Sequence, residues 1–152
     1  MRKKGFTLFE LLVVMALLAV VAGLVVPQLD MNFGGTGVEA VQKFLRGSVD
    51  RCRMQAQLGR TDVVLRFHQN SLSIDGSKEP LRFPPSARFK ELVFPSEKES
   101  EETRLVFNRQ GITSTTIVRV EIGSTMYSFL VSPVIQRVDY RKGTARFDDF
   151  MD

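Results

Sequence analysis

Few side chains in this sequence are equipped for chemistry, and their spacing narrows the choice further. Cys52 is the single cysteine and His68 the single histidine of 152 residues. No intramolecular disulfide and no cysteine-based zinc site can form. His68 falls in a stretch, His68-Gln69-Asn70-Ser71, that reads as a turn, with no nucleophile motif beside it and no glycine-rich phosphate loop after a strand. Catalysis is therefore not expected, and neither a metal nor a cofactor is called for. Asp148, Asp149 and Asp152 lack the loop glycine and regular spacing of a calcium site and read as a solvated end. Two features remain. One is Glu10, the only charge in an apolar run; the other is a basic cluster, Arg137, Arg141, Lys142 and Arg146, offset by Asp139 alone.

The overall charge is +4, but Arg2, Lys3 and Lys4 supply three of those charges within the first five residues. Phe6 to Val26 then forms a run of roughly 21 residues, a helix of roughly 31 Å and enough for a bilayer core of about 30 Å. The basic flank predicts a cytoplasmic amino terminus, with Pro27 onward across the membrane. A secretory signal peptide is the alternative, and Val20-Val21-Ala22 offers a weak cleavage site. Against it, the run continues through Leu24-Val25-Val26 and contains a carboxylate. A charge near the centre of a membrane helix costs about 2.5–3.5 kcal/mol, so Glu10 needs shallow placement or a partner.

Gly34-Gly35-Thr36-Gly37 reads as a flexible joint. Thr36 and Glu39 have capping-box spacing, which predicts a helix from near Val38 to near Gly59. Val38, Val41, Leu45, Val49, Cys52 and Ala56 make one apolar stripe along it, with Lys43, Arg46, Arg51, Arg53 and Arg60 on the other side. From Asp62 the period changes to two. Strands are predicted at Val63–Phe67, Leu72–Ile74, Leu81–Phe83, Phe89–Phe94, Arg104–Asn108, Ile117–Ile122 and Met126–Val131. Val134–Tyr140 and Thr144–Phe147 read as a last pair around Lys142-Gly143, and Ser96–Thr103 as an acidic surface loop. The expected class is α+β: a long membrane helix, then an amphipathic helix packed on an antiparallel β domain. The divisions are a leader at 1–5, the first helix and its end at 6–33, and a globular domain at 34–152.

Arg2-Lys3-Lys4-Gly5-Phe6-Thr7-Leu8-Phe9-Glu10, followed by an apolar helix and Pro27, resembles the amino-terminal signal of type IV prepilins and type II secretion pseudopilins. The resemblance implies cleavage by a prepilin peptidase between Gly5 and Phe6, N-methylation of Phe6, an assembly role for Glu10 and a helix bend at Pro27. It also implies a single-pass protein of the bacterial inner membrane with a periplasmic domain. Its partners would be the peptidase, an inner-membrane assembly platform and other pilins or pseudopilins, with which it later enters a pseudopilus or pilus. Arg53-x-x-Ala56-x-x-Gly59 leading into Val63-Val64-Leu65, and Phe107-x-x-x-Gly111 before a hairpin, resemble the H-type minor pseudopilins and related minor pilins. Gln136-Arg137 stands where members often have Gly-Arg. A structural subunit is the first reading. A minor pilin for pilus assembly or DNA uptake, using Arg137, Arg141, Lys142 and Arg146, is the alternative, although nucleic acid is not the expected partner. A plain single-pass anchored domain is the third.

With Phe6 terminal, its ammonium and the Glu10 carboxylate form an i, i+4 pair on one helix face, and the helix dipole favours a carboxylate there. Methylation keeps the charge of the amine. Intact-mass measurement of the membrane-extracted protein is expected to show a chain that starts at N-methylated Phe6. A terminus at Met1 or Gly23 would contradict the assignment.

Overall fold

The computed structural model describes residue 8 and residues 10–17, 37–96, 103–133 and 138–151. The leader with Gly5 and Phe6, Pro27, the Thr36 cap, residues 97–102 of the acidic loop, Gln136-Arg137 and Asp152 lie outside the described residues. Two units divide the chain, Met1–Gly35 and Thr36–Asp152. In the first, residues 10–17 are helical (α1). No described helix is long and apolar enough to cross a membrane; residues 18–26 of the apolar run are outside the description.

The second unit opens with α2, Gly37–Gly59, whose buried residues are Val38, Val41, Leu45, Ser48, Val49, Cys52 and Ala56. This is the stripe predicted from the sequence, with Ser48 added. The Ser48 hydroxyl is tolerated there because it donates to the Phe44 carbonyl one turn back, at 2.9 Å. At the end of α2 the left-handed residue is Arg60, with φ 49°, one position beyond the glycine. The Thr61 N–H returns to the Ala56 carbonyl at 3.3 Å, closing the helix as a Schellman turn.

Among the described residues eight strands follow, all antiparallel where they pair. β1 (Val63–His68), β2 (Ser71–Ile74), β3 (Leu81–Arg82) and β5 (Arg104–Phe107) form one sheet, in the order β3-β2-β1-β5. β4 (Ala87–Val93), β6 (Thr116–Ile122), β7 (Thr125–Val131) and β8 (Val138–Lys142) form the other, in the order β4-β6-β7-β8. Alternation places Val63, Leu65 and Phe67 inside on β1, and Leu105 and Phe107 on β5. Val118, Val120, Phe129, Val131 and Val138 share the same buried cluster from the second sheet. Helix α2 packs against β1, β5 and β8, and so touches both sheets. The rings of Phe67 and Phe89, one from each sheet, lie 5.0 Å apart.

Three expectations change. His68 is the last residue of β1, opposite Ser71, and the turn is only Gln69-Asn70; its Nε2 lies 3.0 Å from Ser73 Oγ. Thr144–Phe147 is not a strand. Val138–Lys142 pairs with β7 instead, which offers a longer ladder, and Gly143 at φ 92° turns the chain away. The tail is then held by Ser128, which is fully buried on β7: its hydroxyl donates to the Gly143 carbonyl at 2.7 Å and accepts from the Ala145 N–H at 3.0 Å. A 3₁₀ turn, Phe147–Phe150, follows, and the Asp149 carboxylate caps it by accepting the Arg146 N–H. Arg53 leaves the solvated face of α2 and is half-buried over the β5–β6 connection.

Gly111, in that connection, has φ 76°, and a Cβ placed there would meet Arg53 Cγ at 2.6 Å. Both the left-handed backbone and the close approach require glycine. Gly111→Ala is expected to destabilise the domain by about 1–2 kcal/mol from the backbone alone, with more from the displaced arginine. Urea unfolding measures it; an unchanged midpoint would contradict the packing described.

Candidate functional site

In α1 the apolar side chains Leu11, Leu12, Val13 and Val14 follow one another, so at about 100° per residue they cover the whole circumference of the helix. All are exposed, the least of them, Val13, at 44%. A helix that is apolar all round belongs in lipid or among other chains. Glu10 stands on this helix and is exposed. Beyond Glu10 itself, residues 11–17 leave no polar face that could serve as a water-facing side of α1. Residues 1–26 match the prokaryotic N-terminal methylation motif. The match spans the basic leader, Gly5, Phe6, Glu10 and the apolar run, and supports a type IV pilin-like protein. It implies prepilin-type processing, a membrane-anchored amino terminus and assembly with other pilins. No curated protein and no solved structure matches the chain.

The basic residues near the carboxy terminus are arranged by β8 and the tail. Arg141 and Lys142 are consecutive on a strand and so emerge on opposite faces. The Arg141 Nε donates to the Asp149 carbonyl at 3.1 Å, and its guanidinium lies 6.0 Å from the Phe150 ring centroid. Lys142 and Arg146 are exposed, while Arg137 lies outside the described residues. Arg141 thus fastens the 3₁₀ turn. Between α2 and β8, Glu39, Gln42, Lys43, Arg46, Val138 and Asp139 line a concavity of about 330 Å3 in which both signs of charge are mixed.

Among the described residues, no group of three or more His, Cys, Asp or Glu side chains converges. The buried role of Ser128 has no signature in the sequence, because one serine in a strand carries no signal of what it will clamp.

Cys52 is fully buried on the α2 stripe. Burial pushes its thiol from 9.0 up to about 12, with the nearby Arg51 charge pulling weakly the other way. Between those values the unfolded chain has released the proton and the folded chain retains it, so stability falls as pH rises above about 9. Urea unfolding at pH 10.5 is expected to lose about 2 kcal/mol relative to pH 8, at about 1.4 kcal/mol per pH unit. Cys52→Val should remove this part of the slope, and an identical pH dependence in the variant would contradict the burial argument.

Proposed function

We infer that this protein is a structural minor pseudopilin of a type II secretion system. A prepilin peptidase removes residues 1–5 and Phe6 becomes the N-methylated terminus. The apolar helix holds the chain in the inner membrane with its α+β domain in the periplasm, and then packs among other pseudopilin helices in the pseudopilus that drives protein export. The observation that carries this reading is the methylation motif over residues 1–26 joined to a helix whose residues 11–17 are apolar on every side. Exchange of lipid for protein around such a helix involves no loss of a hydrated face, so transfer from membrane to filament costs little.

The H-type assignment is supported by α2 running through Arg53, Ala56 and Gly59 straight into β1. It is supported further by Gly111 turning the chain between Phe107 and the β6–β7 hairpin. The role is one of assembly, not catalysis. A deletion strain that loses secreted proteins while keeping surface pili and DNA uptake is the expected outcome; loss of pili or uptake with secretion intact would overturn the secretion assignment.

Glu10 is the assembly residue in this scheme, pairing with the amino-terminal ammonium of its own or a neighbouring subunit. Glu10→Gln and Glu10→Val should still be inserted and cleaved, because neither harms the apolar span, while recovery with the filament falls severalfold. Glu10→Asp, which keeps the charge and shortens the reach, should fall between. Unchanged co-purification of both neutral variants with the filament subunits would rule out the pairing.

A further inference from the structure

The connection from β3 to β4 carries the chain from one sheet to the other and borders a concavity of about 310 Å3. Its polar lining comes from Asn70 in the β1–β2 turn, Arg82 on β3, Ser86 in the connection and Arg88 on β4; Pro84 and Pro85 form a rigid wall. No carboxylate lines it. Elsewhere on the same sheets basic side chains are neutralised, Arg66 by Asp75, Lys90 by Glu121 and Arg119 by Glu91. Among the described residues, Arg82 and Arg88 have no such partner.

The frame around the two arginines is fixed. The Phe83 N–H donates to the Asn70 carbonyl at 3.1 Å, Phe89 N–H to Gln69 at 2.9 Å, Ala87 N–H to Pro84 at 3.1 Å, and Gly123 N–H to the Ser86 carbonyl at 3.0 Å. The Pro84–Ala87 turn places Ser86 at its third position with φ 67°. Turns of this kind put glycine or asparagine there, and serine holds the conformation only under strain. Strained residues collect where a side chain has a use. Ser86 lines the pocket in this conformation.

We propose that this pocket binds the carboxylates of an extended acidic segment of another protein molecule. Two guanidinium groups, a hydroxyl and an amide form a donor set that carboxylates satisfy in pairs. Beside the pocket, β3 is an edge strand with β2 on one side only, so an extended chain can run along its open edge. The chain itself encodes a segment of matching charge, Glu97, Glu99, Glu101 and Glu102 against Lys98, and a second copy of this chain is the occupant. None of this depends on processing or filament assembly, so the two readings stand or fall separately.

A fluorescent octapeptide with the sequence of residues 96–103 is titrated onto the full chain in nonionic detergent and followed by anisotropy. Saturable binding that weakens with added salt is expected. Arg82→Gln and Arg88→Gln should each reduce affinity about tenfold or more, as loss of a charged hydrogen bond does, while Arg→Lys at either position should lose less. Ser86→Gly should melt about 2–5 °C higher yet bind severalfold more weakly. Absence of binding would overturn the proposal. So would equal binding by the double Gln variant or by a peptide with every Glu replaced by Gln.

Discussion

The apolar stripe of α2 is the contact on which the second unit depends. Val38, Val41, Leu45, Val49, Cys52 and Ala56 form one face, and that face meets β1 and β5 of one sheet and β8 of the other. Each larger side chain contributes roughly 1.5–3 kcal/mol by leaving water, so the stripe as a whole rivals the net stability of a domain, about 5–15 kcal/mol. Without it each four-stranded sheet would expose an apolar side. The helix therefore does more than precede a β domain in the chain. It is the element over which the two sheets become one core.

How much of this could be read in advance follows from how local each determinant is. The stripe steps by three and four within one helix, and every one of its residues is buried as read. β1, β2 and β5 alternate with period two, and Gly123-Ser124 makes the β6–β7 turn as its composition demands. The division into two sheets was not legible, because alternation says which face is buried and not which strand lies alongside. The tail failed for a related reason. Ala145 and Phe147 read as strand positions, but the outcome was decided by Ser128, some seventeen residues upstream, and by a capping carboxylate at Asp149. The end of α2 shows a smaller displacement: Gly59 marked the place, while Arg60 took the left-handed conformation.

The amino-terminal reading has a different basis. Leu11 to Val14 are apolar at every angle around the helix, which is a statement about solvent and holds whatever the rest of the chain does. Glu10 beside them is a motif position, and its meaning comes from the neighbours on either side, Gly5-Phe6 before it and the apolar run after it. The pocket at Arg82 and Arg88 was the opposite case. The two residues are unremarkable in sequence, and only the passage of the chain from one sheet to the other brings them to a common concavity without a carboxylate.

That passage also governs how the domain can form. β4 belongs to the second sheet but precedes β5, which belongs to the first and pairs Phe107 with Val63 about 40 residues earlier. Between β3 and β5 the chain passes through the second sheet. Closing a loop of that length costs about 3 kcal/mol of chain entropy, and such non-local pairings slow folding. Neither sheet is a continuous stretch of chain that could be detached, so the interleaving ties the two sheets into one cooperative unit.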